Sequence, residues 1–154
     1  QNLSISVLER LRLGFMRLLS MPAEHELAME NIDALSIRAR GPDQLIGQLS
    51  GGNQQKVMLG RSLAPGGRLL LLNEPTRGVD IGAKAEIHQL INRLTSEGTA
   101  VLMVSSDLPE LVGLSDRVIV LAQGRIVGRL ERESLTDQNV IACATTGERI
   151  GIAP

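Results

Sequence analysis

Apolar residues recur at helical spacing at Leu8, Leu11, Phe15 and Leu18, with Arg10, Arg12 and Arg17 between them. That pattern predicts an amphipathic helix whose basic face is solvated. Ser6 and Glu9 stand three apart, the spacing of a capping box, and Met21-Pro22 reads as the stop. A weaker helical pattern from about Glu24 to Leu35 predicts a second helix, and Gly41-Pro42-Asp43 a turn. A third helix is expected from about Ser50 to Leu63, ended by Pro65-Gly66-Gly67.

The remainder alternates strand and helix. Leu69 to Leu72 and Ala100 to Val104 are continuous apolar runs, as expected of strands covered on both faces. Between them Ile87, Leu90, Ile91 and Leu94 mark one face of a helix that Gly98 closes. Asp107 to about Val112 predicts a short helix with Pro109 in its first turn, where proline is tolerated. Val118 to Leu121 and Ile126 to Leu130 flank Gln123-Gly124, which predicts a hairpin, and a last helix starts near Thr136. This alternation argues for an α/β fold with a mostly parallel sheet. Residues 1–64 are expected to form a helical subdomain and 65–154 the strand-bearing part.

Composition narrows the function classes. The 154 residues are 43% hydrophobic and 21% charged, an ordinary globular mixture. A net charge of -1 gives no electrostatic case for nucleic acid, and a single aromatic residue, Phe15, offers no base-stacking platform. One cysteine, Cys143, excludes an internal disulfide and reads as a packed small residue. No apolar run approaches the roughly 20 residues that span a bilayer. The start has no basic stretch before an apolar one, so no signal peptide is expected, and it lacks Met, which suggests a fragment. His25 and His88 have no paired ligand and read as surface or partly buried residues.

The chemistry is concentrated in four places. Leu49-Ser50-Gly51-Gly52-Asn53-Gln54-Gln55-Lys56 puts a hydroxyl and two glycines at a helix N-terminus. Bare N–H groups and the helix dipole there suit a phosphate, although a glycine loop that merely caps a helix would look similar. Asn73-Glu74 follows an apolar strand. A polar pair in that place serves a nucleotide site when its first member holds water-bound Mg²⁺ and its second orients or deprotonates the attacking water. Asn73 brings no negative charge, so Mg²⁺ affinity should fall, whereas Glu74 keeps the general-base option. Thr76-Arg77-Gly78-Val79-Asp80 suits contact with a second copy of the domain, and Asp80 also suits an N-cap. At Val104-Ser105-Ser106-Asp107, Ser106 can donate one neutral hydrogen bond toward a γ-phosphate, or Ser106 or Asp107 can cap the next helix.

These strings, with Gly82 to Ile87, Val104 to Glu110 and Leu114-Ser115-Asp116-Arg117, resemble the sugar-import ATP-binding cassette (ABC) proteins of the ribose, galactose, xylose and arabinose type. In that family two nucleotide-binding halves share one polypeptide, and Gly-Gly-Asn-Gln-Gln-Lys with Ser-Ser at the switch position is similar to the C-terminal half. The resemblance implies the C-terminal part of a P-loop NTPase (RecA-like) ABC ATPase domain with its helical subdomain attached. It implies ATP and Mg²⁺ as cofactors. Ser50, Gly51, Gly52 and Gln54 would bind an ATP held on the opposite half. Asn73 would occupy the metal-site aspartate position, Glu74 the catalytic glutamate position, Asp80 the loop joining the halves, and Ser106 the switch-histidine position. The implied partners are a second nucleotide-binding half, transmembrane permease subunits and, indirectly, an external sugar-binding protein. The implied location is peripheral, on the cytoplasmic face of the bacterial plasma membrane.

One departure is large. No Gly-x-x-x-x-Gly-Lys-Ser/Thr occurs in these 154 residues, so no lysine-bearing phosphate cradle is present among them. The chain is therefore expected to be incomplete alone, and inactive as an isolated ATPase. Two other readings stand beside the first. One is a non-catalytic or regulatory remnant, favoured by the missing cradle, Asn73 and Ser106. The other is the C-terminal lobe of a DNA-repair cassette ATPase, disfavoured by the short upstream helices and the absence of a basic stripe.

Overall fold

The computed structural model describes residues 3–7, 12–13 and 18–146. Its chain falls into two compact units, Gln1–Met103 and Val104–Pro154, each described by itself.

In the first unit, Arg12–Leu13 (β1) and Leu18–Leu19 (β2) pair antiparallel, Arg12 opposite Leu19 and Leu13 opposite Leu18. A 3-10 turn, Ile5–Val7, precedes them. The predicted helix through Leu18 is thus corrected over 12–13 and 18–19, while Leu8, Glu9, Leu11, Phe15 and Arg17 lie outside the described residues. Leu11-Arg12-Leu13 also fits a period of two, and Gly14 costs an α-helix roughly 1 kcal/mol relative to alanine. Ser6 Oγ donates to the Arg61 carbonyl, and Glu9, the other member of the expected capping box, lies outside the described residues. Met21-Pro22 proves to be a start, not a stop. Helix α1 spans Met21–Ala34, capped by Ser20, whose side chain accepts from the Ala23 N–H. Proline fits that first turn because its missing N–H has no intrahelical acceptor there.

Helix α2 spans Gly51–Leu63 and packs on α1, where a Cβ on Gly60 would lie 2.7 Å from Leu35 Cδ1. Strand β3 (Leu69–Asn73) pairs with β4 (Ala100–Val104), and helix α3 (Ile81–Ser96) connects them. Ile87, Leu90 and Ile91 are the buried face of α3, as the spacing requires. The strands are not covered on both faces. Leu70 and Leu72 are buried, whereas Leu71 is 65% and Leu102 60% exposed. With one paired neighbour and one covered face, the strand alternation necessarily turns every second side chain outward.

In the second unit, α4 (Leu108–Leu114) is capped by Asp107. Strands β5 (Arg117–Ala122) and β6 (Arg125–Glu131) form an antiparallel hairpin. Both turn residues, Gln123 and Gly124, have positive φ (49° and 74°), the requirement of a type I′ turn whose twist matches the strands. Helix α5 (Asp137–Thr146) packs on the hairpin. Cys143 is fully buried there with Val118, Val120, Leu130, Leu135 and Val140.

Candidate functional site

The site starts from two helix N-termini. Asp80 caps α3, its Oδ1 accepting from the Ala83 N–H at 2.9 Å. At Gly52, an added Cβ would lie 2.3 Å from the Ala83 Cβ. One turn further along both helices, Lys56 of α2 donates to Glu86 of α3 at 2.8 Å. The two contacts advance in the same sense, so α2 and α3 lie side by side with their N-termini at one end. Their positive dipole ends converge there.

The two ends are closed differently. Ser20, Asp80 and Asp107 each cap their helix through the side chain. Ser50, the N-cap of α2, makes no such bond. Its Oγ instead accepts from Asn53 Nδ2 at 2.8 Å, and Asn53 Oδ1 accepts from the Arg38 N–H. The first intrahelical bond of α2 is Gln54 N–H to Ser50 carbonyl, 2.9 Å. The N–H groups of Gly51, Gly52 and Asn53 therefore precede the helical ladder, and the Ser50 side chain supplies them no capping acceptor. Arg38, Ser50, Gly52, Asn53, Asp80 and Ala83 line an open cleft of about 230 Å³ at this end.

The glycines do different work here. Gly51 is exposed, and a Cβ there would sit 3.6 Å from the Gly78 carbonyl, an ordinary contact. Gly52 is buried and is required by the approach of α3. Phosphate access alone does not explain both. Gln54 is half-buried and donates through Nε2 to the Leu49 carbonyl, so its side chain braces the loop entering α2.

Asn73 ends β3, and Glu74 follows in the left-handed region at φ 50°. That conformation is unfavourable for a side-chain-bearing residue and is concentrated at functional sites. The Arg77 N–H returns to the Glu74 carbonyl at 3.2 Å, and Pro75 and Thr76 are buried. This turn leads directly through Gly78 (φ 75°) to Asp80. Asn73 and Glu74 are not among the residues lining the α2–α3 cleft. Ser106 belongs to the second unit and is exposed. Its neighbour Ser105 donates to the buried Glu110 carboxylate and accepts from the Asp107 N–H at 3.0 Å. Ser50, Gly52 and Asp80 thus share one cleft, while the others stand in separate turns.

A phosphate fits the α2 end, with three uncapped N–H groups, one hydroxyl and an exposed glycine. Mg²⁺ does not fit this chain's residues. Asn73 offers a neutral amide beside a single carboxylate, and among the described residues no group of three potential metal ligands occurs. Mg²⁺ bound with few carboxylates takes much of its shell from nucleotide phosphates and water.

Reading of the residues alone missed Lys56, Glu86 and Arg38. Lys56 is nearly buried (side chain 4% exposed) and donates to Glu86 and to the Ser36 carbonyl, 2.9 Å. Arg38 donates to the other Glu86 oxygen, 2.9 Å. The Lys56 hydrogen bond, then its charge, holds the Glu86 carboxyl below its ordinary value of 4.5. A lysine on the buried face of an amphipathic helix was the one available signal.

Comparison with known proteins agrees with the motifs. Residues 2–77 match the family described as ABC transporter. The xylose import ATP-binding protein XylG of Moorella thermoacetica is 47% identical over 148 residues, covering 96% of this chain and 29% of the relative. The ribose import ATP-binding protein RbsA 2 of Rubrobacter xylanophilus is 51% identical over 145 residues, covering 94% and 27%. The chain therefore spans about three tenths of the length of the curated relatives it matches. Among solved structures, a dimeric bacterial ABC transporter cassette superposes with a TM-score of 0.64 at 26% identity, covering 75% of this chain and 50% of that one. A dimeric post-hydrolysis cassette bound to ADP and Pi gives 0.68 at 24% identity, covering 86% and 56%, and supports the cassette fold.

Proposed function

We propose that the chain belongs to the ABC transporter ATP-binding family that residues 2–77 match, is part of the ATP-binding subunit of a sugar importer, and supplies the signature turn to an ATP site completed by a partner half. The uncapped first turn of α2 carries this reading. Three N–H groups and the Ser50 hydroxyl at converging helix ends are arranged for an anion, while the other helices spend their first turns on their own caps. The γ-phosphate of an ATP cradled on the opposite half is the anion we assign to it, because the turn offers backbone donors and a hydroxyl. Mg²⁺ would arrive with that nucleotide.

Residues 1–64 act as the helical subdomain with the signature. Residues 65–154 act as the partial RecA-like part, whose β3 and β4 belong to a larger, mostly parallel sheet. The outward apolar side chains of Leu69, Leu71, Leu102 and Val104 support further layers over these strands. The unit corresponds to a C-terminal half. Asp80 faces the partner half. Asn73, Glu74 and Ser106 serve a different ATP from Ser50-Gly51-Gly52, with Glu74 the general base for water. No helix among the described residues is long and apolar enough to cross a membrane. In this proposal the subunit works peripherally at the cytoplasmic face against transmembrane permease subunits, fed by a sugar-binding protein. ATP hydrolysis and sugar import are activities of the whole assembly.

The test separates the two ATP sites in the full-length protein. Gly51→Asp places a carboxylate at the exposed glycine of the turn, where an added Cβ meets only an ordinary 3.6 Å contact, and is expected to reduce ATP hydrolysis by at least about a hundredfold. Glu74→Gln, at the site with Asn73 and Ser106, is expected to cost less than about threefold. Equal losses in both variants, at equal folded fraction, contradict the assignment.

A further inference from the structure

The Lys56–Glu86 pair ties together two segments that the proposed function uses separately. Lys56 lies one helical turn beyond Gly52 on α2, and Glu86 one turn beyond Ala83 on α3. Lys56 Nζ also holds the Ser36 carbonyl, and Ser36 is in the left-handed region at φ 49°. Arg38, two residues later, reaches both sides of the cleft: its backbone N–H donates to Asn53 and its guanidinium to Glu86. Ser36–Arg38 therefore acts as a strap across α2 and α3, with the Glu86 carboxylate receiving two cations. The contact it maintains is the close one at Gly52 and Ala83, which has no slack for a methyl group.

We propose that Lys56 and Glu86 are positioning residues that hold the Ser50–Gly52 turn and the Asp80 loop as one rigid unit. Phosphate contact at the first is then transmitted directly to the second. Lys56 lines only the neighbouring cleft, and the Glu86 carboxylate, at the border of the phosphate cleft, is engaged by Lys56 and Arg38. Separating the helices by a fraction of an ångström would tilt the three N–H groups away from the phosphate, and misplacement on the ångström scale can cost about a hundredfold in rate. The inference rests on the signature turn binding a phosphate in the assembled protein.

Amide hydrogen exchange and ATP hydrolysis of the full-length protein test it together. Two amides report the first turns: Gln54 N–H, bonded to Ser50, and Lys84 N–H, bonded to Asp80. Glu86→Gln preserves shape at a side chain that is 39% exposed, so the fold is retained. Without nucleotide, this variant is expected to speed exchange at both amides about tenfold. With ATP it is expected to lower kcat about tenfold while leaving the nucleotide dissociation constant unchanged. Lys56→Met should behave likewise. Lys56→Arg should restore kcat to within about twofold, because guanidinium can donate to both Glu86 and Ser36. An adjacent cleft of about 440 Å³, lined by Leu35, Ser36 and Lys56, gives it room. Exchange that changes at neither amide or at one alone overturns the inference, as does normal kcat in Glu86→Gln. Gly51→Asp, at the exposed glycine, is the control. If it is inactive while Glu86→Gln is normal, the positioning role alone is wrong. If Gly51→Asp hydrolyses ATP normally, the signature reading beneath it is wrong.

Discussion

Gly52 shows how one residue answers to two demands. Its place at the start of α2 suggests that it clears space for a ligand, yet its missing Cβ is what lets Ala83 approach. Gly52→Ala is therefore expected to destabilise the fold by about 1–3 kcal/mol, the usual cost of overpacking. Gly52→Ala with Ala83→Gly should recover most of that loss, as two residues in contact couple. Denaturant titration of the single and double variants measures this. Additive losses would show that the two positions do not share one steric constraint. Glu74 is the opposite case. Its position after an apolar strand was legible from sequence, but its left-handed backbone was not, since nothing in Asn-Glu-Pro demands positive φ.

Among elements, the ends were easier to read than the faces. The caps at Asp80 and Asp107, the start of α2 after Ser50 and the Gln123-Gly124 turn follow from local chemistry that each short segment carries itself. The start at Pro22 was misread because proline ends one helix and opens another with equal ease. Leu18 was misread because four apolar residues cannot separate a period of 3.6 from short paired strands. The Lys56–Glu86 pair spans thirty positions and has no local signature. Its electrostatics give a second expectation. Because Lys56 holds the Glu86 pKa below 4.5, the unfolded chain binds the more protons in acid. The contribution is present above pH 4.5 and is lost as pH falls through the lower, folded value. Thermal melts from about pH 6 to about pH 3 should show a shallower acid loss for Glu86→Gln than for the unsubstituted chain. Part of the loss remains in both, because the hydrogen bond from Ser4 likewise lowers Glu24. Parallel acid profiles would show that the ion pair does not contribute.

At the scale of the molecule, the resemblance to the cassette family was legible because its motifs are strings of adjacent residues. The coverage of the strands was not, because coverage depends on what packs against them. Leu69, Leu71, Leu102 and Val104 give the same apolar pattern whether one face is covered or two, and the structure leaves them outward. Those faces and the uncapped turn at Ser50 support the proposed account, in which the chain supplies half of an ATP site whose nucleotide is held on a partner half. Calorimetric titration of the 154-residue chain with Mg-ATP tests that account most directly. It predicts heats of dilution with no saturable binding; a saturating isotherm with one nucleotide per chain would contradict it.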